Sequence, residues 1–557
     1  MSGTMKFTDS PEQAAVIQAP SYEDVVVVAG AGSGKTYTMT RRIITLIEQG
    51  VNPEKILGLT FTRKAASELL SRVSAAVSRN QRERGLKSAN MTFLKPEVST
   101  YDAFFQSIVR QYGLLVGFDQ NTQPLSEAGA MQLIHTVLDK HMVDLMAFDG
   151  DLKSFNTIAS NVFALSNAIS GAMIGSGCTS FDEAVQRVRD WDEAFIRQVD
   201  KALDGETVPT EQPKSPKPPK RLKKDSDADY EKKLEKYREL GHSMCVYNST
   251  QLASVAKQRN LLLDLVLDYH AEKQACNMAE FSDFTIAAFQ LVSRFPSIGA
   301  TYRKRYSHVL LDEYQDTSTT QAALLSALFH ADDTHRSAVN AVGDPFQSIY
   351  AWRGASPGAF RMLQHDFGMD ATSKPFALTV TRRNSRMVLE AANNLTKPLR
   401  LPARRLSSSL MREVDVPALS NIEEAPEGTI GVLGFATFGQ EVDAVVRFAK
   451  HAIALHTPSA RDLDHGAKDN RPHVAVLFRS KGTMSKYAEA LEQAGLTTLV
   501  VGQAALLERP EVQDVFALLH VVSDHTDSAA LMRLLATPRF AVEADDLQAL
   551  ADTAERG

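Results

Sequence analysis

The chain has 557 residues, of which 44% are hydrophobic, and a formal net charge of −6 at pH 7. This composition supports several packed domains and excludes a disordered chain or a uniformly basic coat protein. No apolar run reaches the length of a membrane span, and the N-terminal residues lack an apolar signal core. The three cysteines fit no metal or disulfide spacing. We therefore expect a cytoplasmic protein that does not contact a membrane.

The most informative stretch is a glycine-rich turn that follows a run of valines. Residues 25–36 read VVVVAGAGSGKT; the valines predict a buried strand, and residues 39–47 predict a helix. Glycines let phosphate oxygens approach the backbone, and the helix start adds partial positive charge. Lys35 could reach the β- and γ-phosphates, and the Thr36 hydroxyl could ligate Mg²⁺. The alternative is a purely structural turn. The predicted loop residues are Ala29, Gly30, Ala31, Gly32, Ser33, Gly34, Lys35 and Thr36.

Polar residues next to other predicted strands suit the same chemistry. Asp312 and Glu313 follow the strand at 307–311; Asp312 is predicted to hold Mg²⁺ and Glu313 to accept a proton from the attacking water. Two solvated acids at a capped loop are the alternative. Gln347, after the strand at 338–342, could sense the γ-phosphate. Gln13, before the glycine-rich loop, could donate to and accept from an adenine edge.

A second group of residues suits a single-stranded nucleic acid. Aromatic rings stack on bases, and nearby basic or hydroxyl groups contact phosphates. The alternative for Phe61 and Trp352 is a place in the hydrophobic core. The predicted DNA-binding residues are Phe61, Thr62, Arg63, Thr100, Tyr350, Trp352 and Arg353.

The pattern of the chain predicts its domains. Strand–helix alternation stops near residue 114, a mostly helical stretch runs to about 281, and alternation then resumes. Within the helical stretch, residues 213–224 hold six basic residues, four prolines and no acid. This segment is either a contact for nucleic-acid phosphates or a solvated loop. From 376 a second α/β region is predicted, with strands at 376–380, 430–435, 474–478 and 498–501 and helices at 441–453 and 484–494.

Together these motifs resemble the UvrD/Rep family of superfamily 1 DNA helicases. The resemblance rests on PEQ at 11–13, AGAGSGKT at 29–36, LTFTRKAASEL at 59–69, DEYQDTS at 312–318 and GDPFQSIYAWRGA at 343–355. It implies an α/β fold with two RecA-like P-loop motor domains, the second incomplete, and a mostly helical insertion in the first. The implied bounds are 1–113 plus 282–375, the insertion at 114–281, the second domain at 376–522, and the start of a second insertion at 523–557.

The resemblance also implies the activity. It predicts ATP- and Mg²⁺-dependent 3′→5′ movement on single-stranded DNA or on DNA with a 3′ single-stranded tail, in repair or recombination. Lys35, Glu313, Gln347 and Arg383 would be the catalytic residues, with Arg383 as an arginine finger, and Thr36 and Asp312 would hold the metal. Gln13 would read adenine.

Two departures from the family pattern matter. Residues 381–384 read TRRN, so Arg382 replaces the tyrosine that stacks on adenine, and Tyr37 stands where the family often has arginine. We expect the exchanged pair, Tyr37 and Arg382, to sandwich the base. Arg63 and the TRRN variant are closest to the actinobacterial AdnB-like branch.

The second departure is an absence, because the family's last motifs are not found before residue 557. This predicts a truncated second motor domain and leaves open a nuclease domain further on. The alternative function is therefore a catalytically impaired ATP- and DNA-binding fragment or scaffold subunit that needs a missing C-terminal half or a partner helicase subunit.

Overall fold

A computed structural model describes residues 9–83, 95–147, 154–222, 226–330, 335–351, 354–355, 358–370, 373–400, 414–456, 474–501 and 510–554. The chain divides into two compact units, Met1–Ile430 and Gly431–Gly557. Each unit is described separately below.

Short strands rich in apolar residues form the frame of the first unit. In chain order they are β1 Val25–Ala29, β2 Ile56–Thr60, β3 Glu97–Thr100, β4 Gln123–Pro124, β5 Met278–Ala279, β6 His308–Leu311, β7 Ala338–Gly343, β8 Phe376–Leu378, β9 Val380–Thr381 and β10 Ser420–Asn421. Six of them form one parallel sheet in the order β3-β2-β6-β7-β1-β8. Because parallel strands end at the same edge, this order gathers the loops after β1, β2, β6 and β7.

Helices cover this sheet and build the insertion. They are α1 Pro11–Ile17, α2 Lys35–Glu48, α3 Arg63–Glu83, α4 Tyr101–Tyr112, α5 Glu127–Lys140, α6 Met142–Ala147, α7 Phe155–Ala172, α8 Phe181–Ala202, α9 Asp227–Ala275, α10 Phe281–Arg294, α11 Pro296–Arg305, α12 Thr319–Phe329, α13 Ala359–Asp366 and α14 Arg386–Arg400. The second unit contains α15 Phe438–His456, α16 Met484–Gln493, α17 Pro510–Ser523, α18 Ser528–Leu535 and α19 Ala544–Ala554. None of the described helices is both long and apolar enough to cross a bilayer.

The alternation of side chains along β1 separates two cores. Val25 and Val27 pack with α1, α2 and α3 on one face of the sheet, whereas Val26 and Val28 pack with α4, α10 and α12 on the other. A strand covered on both faces must be apolar throughout, which explains the valine run. The predicted α/β class is thus confirmed.

A buried arginine joins the first helices to the sheet. Arg42, on α2, is 1% exposed. Its guanidinium donates to the carbonyl oxygens of Ile17, Ala19 and Pro20 and to Oδ1 of Asn340. The charge is tolerated in the core because every acceptor faces it directly.

The helical insertion has its own core. Ile134 of α5, Val162 of α7, Val185 of α8 and Leu263 of α9 belong to one buried cluster. The prediction of a mostly helical stretch between the two parts of the sheet is confirmed. The 49-residue helix α9 extends beyond this cluster, since buried residues are few before Val246.

The structure corrects the prediction for the region after residue 375. Strand β8 was assigned to the second domain, but it pairs with β1 of the first sheet, with Val27 opposite Phe376. The predicted strands at 430–435, 474–478 and 498–501 are wrong: these residues pair with no strand among the described residues. Val432 and Leu477 are 98% and 92% exposed. Apolar composition suggests a strand, but only a hydrogen-bonded neighbour makes one.

Candidate nucleotide and DNA site

The glycine-rich loop lies between β1 and α2, as predicted. Gly32 and Gly34 have φ angles of +75° and +91°, a conformation that residues with a Cβ rarely adopt. The Ser33 hydroxyl donates to the carbonyl oxygen of Gly30 at 2.8 Å. Lys35 is the first residue of α2, so the loop directs backbone N–H groups and a lysine toward one point. This geometry suits an anion.

Lys35 and Glu313 form an ion pair at the centre of the site. Nζ of Lys35 lies 2.7 Å from Oε2 of Glu313. Glu313 has a φ of +50°, which is uncommon for a residue with a side chain and is typical of functional positions. The structure therefore brings the predicted phosphate-binding lysine and the predicted base into contact, although 278 residues separate them in the chain.

Gln315 also contacts this ion pair, although it is not among the site residues predicted from the sequence. Its Nε2 donates to Oε2 of Glu313 at 2.7 Å, and its Oε1 accepts the Asp344 backbone N–H at 3.0 Å. It therefore fixes the end of β6 to the end of β7. A Cβ on Gly343 would lie 2.0 Å from this Oε1, so a larger residue there would displace the Gln315 side chain. The only sequence signal was its position inside DEYQD.

Asp312 is a buried carboxyl group next to the ion pair. Burial and, to a smaller extent, the Glu313 charge raise its pKa to about 6, against the opposing effects of Lys35 and the Glu313 N–H. A buried carboxyl with a raised pKa is suited to a cation, which would replace the lost hydration. Among the described residues, no three His, Cys, Asp or Glu side chains form a metal cluster. Mg²⁺ would accordingly take Asp312 and Thr36 with oxygens of a nucleotide and water, a donor set that these residues fit.

Gln13 reaches over the loop, as its prediction required. Its Nε2 donates to the Ser33 carbonyl oxygen at 3.1 Å, and its Oε1 accepts from Arg382 at 3.4 Å. Tyr37 donates to Oδ1 of Asp9 at 2.6 Å. Burial and Asp9 raise the pKa of Tyr37, whereas Arg41 and Arg382 lower it. Gln13, Tyr37 and Arg382 are thus neighbours.

A second residue of α1 holds the segment that carries the two arginines. Oε2 of Glu12 accepts the Thr379 backbone N–H at 2.7 Å, and Oε1 accepts the Thr379 hydroxyl. Three residues later, the Arg382 backbone N–H donates to the Gly32 carbonyl oxygen at 3.0 Å. A Cβ on Gly32 would lie 2.6 Å from Cβ of Arg383. Glu12 had no signal in the sequence beyond its place before Gln13.

Gln347 lies on the other side of the loop. Its Nε2 donates to Oδ2 of Asp344 at 2.8 Å. Together with Gly30, Ala31 and Asn384 it lines a cavity of about 170 Å³. The predicted γ-phosphate sensor and the phosphate loop thus face the same space.

The predicted DNA residues fall into four groups. Phe61 and Tyr350 stack on each other, with centroids 5.0 Å apart and planes at 24°. Thr62 and Thr100 use their side-chain oxygens to accept the Ala65 and Ala103 N–H groups. Arg63 is exposed. Trp352 and Arg353 lie outside the described residues.

Two family models match this chain. The family model described as UvrD/REP helicase N-terminal domain matches residues 9–368, and that of the UvrD-like helicase C-terminal domain matches residues 383–557. These matches fit the two expected RecA-like motor domains. The second match runs to the last residue, so the predicted truncation receives no support.

Three relatives illustrate the similarity. ATP-dependent DNA helicase UvrD1 of Mycobacterium tuberculosis (strain ATCC 25618 / H37Rv) is 26% identical over 92% of this chain and 52% of its own length. ATP-dependent DNA helicase PcrA of Bacillus subtilis is 24% identical over 95% and 55%. ATP-dependent DNA helicase Rep of Escherichia coli is 24% identical over 95% and 60%. The chain thus spans about half the length of these curated relatives. The AdnB-like branch and the individual site residues stay predictions. With the N-terminal model covering most of it, the chain belongs to the UvrD/Rep helicase family.

Proposed function

We propose that this chain is an ATP-dependent DNA helicase or translocase that moves 3′→5′ on single-stranded DNA. The observation that carries the proposal is the contact between Lys35 and Glu313 beside the buried Asp312. A lysine on a glycine-rich loop, a metal-binding carboxylate and a base, all at one sheet edge, form the constellation of a P-loop ATPase.

The ion pair suggests how the site would be switched on. ATP with Mg²⁺ supplies the bond whose cleavage drives movement. Lys35 would exchange the Glu313 carboxylate for phosphate oxygens. Glu313 would then be free to accept a proton from the attacking water, oriented by Gln315. Thr36 and Asp312 would hold the metal, and Gln347 and Arg383 would face the γ-phosphate. In the absence of nucleotide, the base remains neutralised by the lysine.

The adenine contact would use the exchanged pair. Tyr37 would supply an aromatic face, Arg382 a planar guanidinium on the opposite side, and Gln13 an amide for the base edge. Their proximity supports this role. Gln13 would leave the Ser33 carbonyl oxygen to reach the base.

The DNA strand would interact with the stacked rings. Phe61 and Tyr350 would separate to admit bases, since ring–base stacking is worth about 1–3 kcal/mol per base and needs no particular sequence. Arg63 would contact phosphates. Trp352 and Arg353 follow Tyr350 in the chain and are proposed for the same strand. Substrates would be single strands or duplexes with a 3′ single-stranded tail, in cytoplasmic repair or recombination.

One observation favours the second candidate function, an ATP- and DNA-binding subunit with little turnover of its own. In the second unit, Val432, Leu477 and Leu499 are 98%, 92% and 88% exposed, on segments that pair with no other strand in the part of the chain that the structure describes. Such segments suit pairing with a further polypeptide, such as a partner helicase subunit.

Oligonucleotide-stimulated ATP hydrolysis by the purified chain tests both functions. The first predicts turnover that rises with a thymidine oligonucleotide and falls at least ~100-fold in Glu313→Gln, because a general base contributes about 10²–10⁴. Glu54→Gln, an exposed acid outside the site, is the matched control. ATP and DNA binding without turnover in the unmodified chain would favour the second function. Full activity in Glu313→Gln would refute the first.

A further inference from the structure

A proline- and lysine-rich strap of the helical insertion, residues 213–222, has a repeat of three. It reads PKSPKPPKRL. Pro213, Pro216 and Pro219 are half-buried, whereas Lys214, Lys217 and Lys220 are exposed. Polyproline II has three residues per turn, so residues three apart share a side. The strap therefore has one proline side and one lysine side.

The strap is connected to the outer part of α9, the turns before Val246, through its last residues. Tyr230, Leu234 and Tyr237 form a half-buried stripe there, at the helical spacing of three to four residues. The guanidinium of Arg221, at the end of the strap, lies 5.5 Å from the Tyr230 ring centroid and also contacts Asp227.

A second contact secures the chain that enters the strap. Oε2 of Glu206 lies 3.0 Å from Nε2 of His242 on the same helix. The chain thus contacts α9 both before and after the strap prolines, while the three strap lysines are exposed.

The lysine side has the chemistry of a phosphate contact. Residues 212–222 contain no acid, although the whole chain has a net charge of −6. Within the part of the chain that the structure describes, Lys214, Lys217 and Lys220 form no ion pair. At about 3.1 Å per residue, they form a row of roughly 19 Å with ~9 Å between neighbours. Fixed charges at regular intervals match a regular polyanion better than an acidic protein surface of irregular shape.

We propose that the strap binds the phosphate backbone of DNA, as a contact surface separate from the nucleotide site. The prolines restrict the backbone before binding, so the lysines lose less conformational freedom when they meet phosphates. The strap itself has no aromatic side chain to stack on a base, so the proposed contact reads no base. The contact is accordingly independent of sequence and sensitive to salt.

DNA binding by the full chain, measured by fluorescence anisotropy without nucleotide, tests this proposal independently of ATP hydrolysis. The variant combines Lys214→Ala, Lys217→Ala and Lys220→Ala. The control combines Lys201→Ala, Lys232→Ala and Lys257→Ala, which removes the same charge from exposed positions of α8 and α9. A 20-base-pair duplex and a 20-nucleotide strand show which form of DNA is bound.

Three lost contacts reduce the slope of log K against log salt by about 2.7 for duplex or about 2.1 for a single strand. For the duplex, the ratio of the affinity of the unmodified chain to that of the variant then falls about 40-fold between 50 and 200 mM salt. A further variant, with Pro213, Pro216 and Pro219 replaced by alanine, retains the charges and is expected to bind with intermediate affinity. Unchanged affinity and slope in the lysine variant, or an equal change in the control, would overturn the proposal. So would loss of polyglutamate binding with DNA binding intact, which would indicate an acidic protein partner.

Discussion

Replacing Glu12 with alanine tests whether α1 holds the arginine-bearing segment against the phosphate loop. The Glu12 carboxylate accepts two hydrogen bonds from Thr379. Hydrogen bonds to charged groups contribute about 1.5–3 kcal/mol each. Because Glu12 is only half-buried, solvent screening lowers each bond below this range to about 1 kcal/mol, and we expect a loss of about 2 kcal/mol in total.

This loss would appear as weaker nucleotide binding. If Arg382 must be ordered at the loop to contact the base, about 2 kcal/mol corresponds to roughly 30-fold in affinity. We therefore expect Glu12→Ala to raise the ATP concentration at half-maximal turnover about 30-fold, with a smaller change in the maximal rate. Glu12→Gln keeps an acceptor for the Thr379 N–H and should lose only a few-fold.

The measurement is steady-state ATP hydrolysis with saturating oligonucleotide, accompanied by equilibrium binding of a fluorescent ATP analogue. Glu23→Ala, an exposed acid near the same helix, is the matched control. If Glu12→Ala binds nucleotide as tightly as the control does, Thr379 is held in place without Glu12, and the proposed role of α1 is wrong.

Three other predictions follow from the same contacts. Tyr37→Ala should weaken ATP binding about tenfold or more, whereas Tyr37→Phe should retain most affinity, because the ring would face the base and the hydrogen bond to Asp9 would not contribute. If Tyr37→Ala and the unmodified chain bind the fluorescent ATP analogue equally well, Tyr37 and Arg382 do not sandwich the base. Mg²⁺ affinity should fall about tenfold per pH unit below about 6, because the raised pKa of Asp312 keeps the carboxyl group protonated there and unable to bind the cation. If calorimetric titration from pH 5 to 8 shows no such fall, Asp312 is not a metal ligand. Arg42→Met should lower the free energy of unfolding by about 3–5 kcal/mol, because four acceptors lose their donor in the core. Urea unfolding measures this loss, with the exposed Arg72→Met as control. Equal urea midpoints for the two variants would contradict the prediction.

Local patterns were sufficient to predict the loops that carry the chemistry. The valines of β1, the glycines after them and the acids after β6 each obey a short-range rule, and the parallel sheet then brings their ends together. Ion pairing between Lys35 and Glu313 follows from this topology. The class of the fold and the centre of the site could therefore be predicted from the sequence.

Contacts between distant parts of the chain could not be predicted in the same way. Glu12 and Thr379 are 367 residues apart, and neither has a pattern that identifies the other. Gln315 was overlooked because its role depends on the distance between β6 and β7. The apolar segments at 430–435 and 474–478 were predicted as strands from composition, but strand formation depends on a neighbour that composition does not specify.

The position of β1 in the sheet has a consequence for synthesis of the protein. Its neighbours, β7 and β8, begin at Ala338 and Phe376, more than three hundred residues after β1 itself. At roughly 5–20 residues per second, a ribosome needs about 15–70 s to deliver them. During that interval the valine-rich strand has both edges open and would benefit from a chaperone. The strand that leads into the glycine-rich loop is thus made long before the two strands that flank it in the sheet.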